Sequence, residues 1–342
     1  MVSFKKIIAL SILALLLSDM KVYAQEPNFS MYLYTPFFTN PGSIGVVEDA
    51  RLMLNYRNQA VDVGESFQSS SLSGYYPLYL GNHRLVLAGS FLNDQVSNFT
   101  STNGGLLGLA SSIRITTYSE LSFGMQAGYL QRGRGGDFIT DDQFVNGVFD
   151  PDVVSGDAVL NQTKGYATLS TGLYYLIKDD RGKEKAFFGG SIFNATRPNV
   201  SLVESIADRL PASVRATAGY RVYQGLKLSV IPSLRWVNQT GNNFFNIGSR
   251  FGYELANSEE GVKKIELGLW YNTNNLGVFS VAYEQSDLTL GVSYDLPVGA
   301  DLTRTQNGIF ELAVSFRLKK ISKPYLAKQM PQKTLFRRVK RN

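Results

Sequence analysis

Residues 288–318 read twice over as a strand with one apolar and one polar face, and this limits the folds open to the chain. In the first half Leu288, Leu290, Val292, Tyr294 and Leu296 alternate with Thr289, Gly291, Ser293 and Asp295. In the second half Phe310, Leu312, Val314, Phe316 and Leu318 alternate with Glu311, Ala313, Ser315 and Arg317. Strand side chains point to opposite faces every second residue, so each half has an unbroken apolar side and a side that tolerates charge. A sandwich strand would turn its apolar face to a core, and a membrane-barrel strand would turn it to lipid. The rest of the chain decides between them.

The first residues carry Lys5-Lys6, an apolar run from Ile7 to Leu17 and the sequence Val22-Tyr23-Ala24. This is the form of a secretory signal peptide, 1–24, with cleavage expected between Ala24 and Gln25. With no Cys in 342 residues there is no disulfide framework, no cysteine zinc site and no lipid-modified N-terminal cysteine. After Ala24 no segment reaches the roughly 18 apolar residues of a helical span, so an integral membrane form must be built from strands.

Alternation recurs along the chain. Leu52, Leu54 and Tyr56 oppose Arg51, Met53, Asn55 and Arg57; Leu121, Phe123, Met125, Ala127 and Tyr129 oppose Ser122, Gly124, Gln126 and Gly128. Such runs predict an all-β fold, a transmembrane antiparallel β-barrel of about 14 strands, an even number as single-chain outer-membrane barrels have. The expected organisation is signal peptide 1–24, a periplasmic or plug-like lead-in 25–49, barrel 50–318 and a basic periplasmic tail 319–342. The lead-in, punctuated by Pro27, Pro36, Pro41, Gly42 and Gly45, shows no alternation and reads as irregular.

Connection lengths agree with a barrel. With a periplasmic N-terminus, the outside connections include 95–103, 132–163, 196–212 and 297–307, and the inside ones include 80–83, 116–120 and Gln224-Gly225. The inside connection 256–263 is longer than this scheme favours. Ser205 to Leu210 is expected as a helical turn in an outside loop. Arg57, Arg215, Arg221, Arg235, Arg250 and Arg317 fall on the polar face with Glu254, Glu266, Asp295 and Glu311, which predicts a salt-bridged, partly filled interior rather than a charge-selective pore. Tyr129, Tyr174, Tyr175, Trp236, Tyr271 and Phe316 lie near strand ends, where interfacial aromatics are expected.

The net charge of +6 resides in the tail, from Lys319 and Lys320 to Lys340 and Arg341, and the remainder is close to neutral. An exported chain with a basic tail is not expected to bind nucleic acid. No catalytic residue is assigned, because His83 is the only histidine and no G-x-S-x-G elbow is present. The loop 132–163 gathers Asp137, Asp141, Asp142, Asp150, Asp152 and Asp157. Their spacing departs from the EF-hand pattern, so a solvated loop is favoured over a calcium site. No metal and no cofactor is expected.

The opening Gln25-Glu26-Pro27-Asn28-Phe29-Ser30, with Asn40-Pro41 and Gly45, resembles the Q-D-P-x-F-S and N-P-A-x-x-G motifs of the PorP/SprF family of type IX secretion system outer-membrane proteins. Tyr56-Arg57-Asn58-Gln59 resembles that family's Y-R-N-Q-W strand end. Gly291-Val292-Ser293-Tyr294-Asp295 and Glu311 to Leu318 are similar to its later strands, in order. Gly42 stands in place of the motif's Ala, Ala60 in place of its Trp, and the basic tail is unusual. The resemblance implies an outer-membrane protein without enzyme activity. It implies a role in export or surface retention of a secreted protein with a C-terminal type IX sorting domain, such as a gliding adhesin, and contact with other secretion components and with outer-membrane lipid. A passive outer-membrane porin is the alternative.

Overall fold

The computed structural model describes residues 28–61, 67–80, 83–96, 100–134, 141–150, 152–153, 162–203, 207–239, 242–258, 261–298 and 306–319. The expected signal peptide with Ala24 and Gln25, and the tail beyond Lys319, lie outside these described residues.

Fourteen long strands form one antiparallel sheet that closes on itself. They are β1 (Ala50–Val61), β2 (Phe67–Leu80), β3 (His83–Val96), β4 (Thr100–Thr116), β5 (Ser119–Arg134), β6 (Lys164–Lys178), β7 (Glu184–Phe193), β8 (Ser213–Tyr220), β9 (Leu228–Gln239), β10 (Asn242–Ser258), β11 (Gly261–Asn272), β12 (Leu276–Gln285), β13 (Leu288–Pro297) and β14 (Gln306–Lys319). Each strand pairs with the next, and β14 returns to β1, setting Leu52 opposite Phe316 and Arg57 opposite Glu311. Closure leaves no sheet edge, so backbone groups in the bilayer are satisfied within the ladder.

Alternation sets the two surfaces. On β5 Phe123, Met125 and Tyr129 face outward while Ser122, Gln126 and Leu130 are buried inward. Leu107 is 74% and Tyr129 66% exposed on an outer wall of similar residues. So extensive an apolar surface is not stable in water and belongs in lipid. The protein is therefore an outer-membrane β-barrel.

The longest connections, 135–163, 194–212 and 298–305, gather at one end, here the loop end. The other, the turn end, has 81–82, 117–118, 259–260 and 286–287. Several boundaries differ from expectation. The connection expected over 256–263 shrinks to 259–260, because the β10–β11 ladder continues through Ser258 and Gly261. Gln224-Gly225 is not the whole link to β9: β8 stops at Tyr220, and Tyr223-Gln224 folds back onto Ser229 and Val230. Of 205–210, residues 205–206 lie outside the described residues and 207–210 form no helical turn, with Asn199 bridged to Arg209 and the Leu210 N–H donated to Pro198 O at 2.9 Å.

Tyr174 is also corrected. It cannot share the outer girdle with Tyr175, since neighbours on a strand face opposite ways. Tyr174 turns inward and stacks on Phe187 at 5.9 Å, while Tyr175 faces out.

Because β14 is complete at Lys319, which pairs with Ala50, a chain truncated after Lys319 is expected to reach the outer membrane as the full chain does. Fractionation and gel mobility with and without boiling check this. Loss of insertion would locate an assembly signal within 320–342.

Candidate functional site

Residues 28–49 lie inside the barrel. They form a 3₁₀ turn (Tyr32–Tyr34) and two short helices, α1 (Pro36–Thr39) and α2 (Pro41–Ile44), in place of the irregular segment expected. Each helix begins on a proline, whose missing N–H is not needed at a first helical position. Asn40 caps α2: its Oδ1 accepts the Gly42 N–H at 2.8 Å, and its Nδ2 donates to Leu173 O on β6 at 2.9 Å. The Asn40-Pro41 pair thus starts a helix and ties it to the wall in one step.

Glycines let the helix lie directly on the strands. A Cβ on Gly42 would sit 2.8 Å from Gly172 O, and one on Gly124 would run into the Pro41 carbonyl. The motif's alanine does not fit at Gly42 without movement of this wall. At Gly45 a Cβ would overlap Ser122 Oγ, and the Gly45 carbonyl accepts from Arg84 Nε at 2.8 Å. Asn40→Ala is expected to lose about 1 kcal/mol from the cap alone, with further loss from the bond to Leu173. Denaturant unfolding checks this, and an unchanged midpoint would remove Asn40 as an anchor.

The segment meets two kinds of wall. Phe29, Phe37, Phe38 and Ile44 pack on Met53, Tyr75, Val86, Leu92, Leu106 and Leu130 from β1 to β5, forming an apolar core inside the barrel. The other wall is charged. Glu311 on β14 accepts the N–H groups of Ser30 at 2.7 Å and Met31 at 2.9 Å, and Arg57 Nε at 3.1 Å. The Ser30 hydroxyl donates to Asp295 on β13. Arg235 donates to Phe29 O at 2.9 Å with its guanidinium 4.8 Å from the Tyr32 ring centre, and Arg215 donates to Phe38 O. Both arginines thus donate to main-chain carbonyls of the inner segment.

Other charges pair across the wall or the turn end. Arg250 meets Glu184 at 2.5 Å and Glu266 at 3.6 Å, Arg221 meets Asp179 at 2.6 Å, and Arg317 meets Asp49 at 3.3 Å. Arg84, only 1% exposed, pairs with Glu120, which also binds Lys178 at 2.8 Å. Burial, with the Glu266 carboxylate beside it, pushes the Tyr34 phenol well up, so it stays protonated and donates to Glu266 at 3.3 Å. Bonds and close contacts from the segment reach β1 through β9, then β11, β13 and β14. The lumen is therefore filled around its circumference.

Of the motif residues, the structure brings Arg57, Asp295 and Glu311 together on Ser30, while Asn40, Pro41 and Gly45 lie on the far wall. Gly291 is where Met31 packs: a Cβ there would press on the Met31 methyl. Tyr56 and Tyr294 lie on the outward-facing alternation. The roles of Ser30, Arg215 and Arg235 are not visible in the sequence, since an inward arginine on a strand carries no mark of what it will meet.

At the loop end a cavity of about 560 Å³ remains above the segment, between the barrel wall and the covering residues Val200 and Leu210. His83 begins β3 at the turn end and is exposed. Among the described residues no group of three acids, His or Cys comes together to hold a metal ion. Asp150 accepts the Asp152 N–H within its own loop, and Asp137 and Asp157 lie outside the described residues.

The family model for type IX secretion system membrane proteins PorP/SprF matches residues 21–316. No curated protein matches the chain. Solved structures similar to it include the Ralstonia pickettii toluene transporter TbuX, at 10% identity and TM-score 0.47, covering 82% of this chain and 92% of that one. A Pseudomonas aeruginosa FadL homologue is similar at 12% identity and TM-score 0.43, covering 83% and 94%. The KdgM porin is similar at 8% identity and TM-score 0.36, covering 78% and 99%.

Proposed function

Because this chain belongs to the PorP/SprF family of type IX secretion system membrane proteins, we propose that it is a non-enzymatic barrel that holds one or a few secreted proteins at the cell surface. The partner is a protein with a C-terminal type IX sorting domain, a gliding adhesin being one such cargo. The observation that supports this reading is the filled lumen: with residues 28–49 bonded to both walls, little room is left for passage. The loop end is then the part available to a partner. Rigid walls carrying long loops suit such recognition.

A passive porin needs a continuous aqueous path, and the interior charges beside the inner segment are consumed in pairs and in carbonyl contacts. Deletion of the protein is expected to remove one or a few proteins from the cell surface while bulk type IX export continues. Comparative proteomics of surface and medium checks this. Disappearance of every sorting-domain protein together would assign a general export role instead.

A further inference from the structure

The cavity at the loop end is built unlike a leftover void. Leu92, Leu106, Leu130 and Tyr166 line its middle. Deeper lies Gln126, only 4% exposed, whose Oε1 has no hydrogen-bond partner. Toward the mouth, six residues further along β5, Arg132 also lines the cavity and has no hydrogen-bond or ion-pair partner among the described residues. A buried polar group left unpaired is costly, so a ligand that satisfies Gln126 gains what the empty protein forgoes.

We propose that this cavity receives a short extended peptide segment with apolar side chains and a carboxylate at its outer end. The proposal deepens the reading above by giving the held partner a defined point of entry. Three features select a peptide. The carboxamide of Gln126 offers a donor and an acceptor side by side, the complement of a peptide group. The leucines and Tyr166 form a belt for apolar side chains. Arg132 presents a planar fork to a carboxylate. From Gln126 to Arg132 is roughly 20 Å along a strand, the reach of about six extended residues. An alkyl chain of the same length would leave the Gln126 amide unpaired, and this disfavours a lipid.

The test uses the full mature protein in lipid nanodiscs and three probes in calorimetric titrations: acetyl-Gly-Leu-Val-Gly-Val-Leu with a free carboxylate, the same peptide as its C-terminal amide, and dodecanoate. The free acid is expected to bind about tenfold tighter than the amide, the difference a charge-assisted bond supplies. Arg132→Gln should abolish that preference, and Gln126→Leu should weaken both peptides about tenfold while leaving dodecanoate unchanged. Gel mobility before and after boiling shows whether the variants remain folded, and the three-probe comparison on the unaltered protein stands without them. Dodecanoate binding as tightly as the peptide acid, binding insensitive to both substitutions in folded variants, or no binding by any probe would overturn the proposal. If peptides fail to bind but loop deletions still release a surface protein, the inference fails and surface retention stands.

Discussion

A chain lacking residues 28–48 is expected to form a steady conducting channel in planar bilayers, where the intact protein passes little or no steady current. The wall has fourteen strands, and barrels somewhat larger than the eight-strand size already enclose space that side chains cannot fill. In the intact protein that space holds the Pro41–Ile44 helix against the backbone of β5 and β6, and Phe29, Phe37 and Phe38 against the apolar wall. Removing the segment also frees Arg235, Arg215, Glu311 and Asp295 from their plug contacts and leaves them in a wet lumen, where charge of both signs is tolerated. A rise of roughly tenfold or more in conductance is the expected size, since the change is from a packed interior to an aqueous one. If the shortened barrel is as silent as the intact one, the segment is not what closes it.

The second large effect is expected at Glu311. This carboxylate is 1% exposed and accepts the N–H groups of Ser30 and Met31 together with Arg57 Nε. Glu311→Ala leaves two backbone donors and a guanidinium without their acceptor, and breaking one partner of a buried pair typically costs about 3–5 kcal/mol. Glu311→Gln keeps the shape and one acceptor oxygen, so its loss should be smaller. Urea unfolding in detergent gives the stability, and the bilayer assay reports whether the plug loosens. Wild-type stability in the alanine variant would mean that the apolar contacts hold the segment unaided.

Both effects rest on contacts that the sequence hides. The strands were legible because each is long enough for its period-two pattern to repeat, as in Leu121–Tyr129 and Phe310–Leu318. Their ends were less so: at Val96 and Thr100 the ladder runs on through Asn93, hydrogen-bonded to Asn103, and polar side chains there carry no apolar rhythm. The segment 28–49 was unreadable as structure for another reason. Its helices span four residues each, too few for helical periodicity, and their prolines read as breakers although they are starts. Its anchors are also remote, with Ser30 separated from Asp295 by 265 residues and from Glu311 by 281. The motif letters marked Asn40, Asp295 and Glu311 as notable without saying that they hold one segment from opposite walls.

We propose that the closed barrel holds its partner at the loop end. The most direct test is complementation of a deletion strain with barrels shortened singly in 135–163, 194–212 and 298–305, reading sorting-domain proteins on the surface and in the medium. Normal levels of the shortened barrels in the outer membrane are expected, with the same one or few proteins lost from the surface and recovered in the medium. Full surface retention by all three shortened barrels would contradict it.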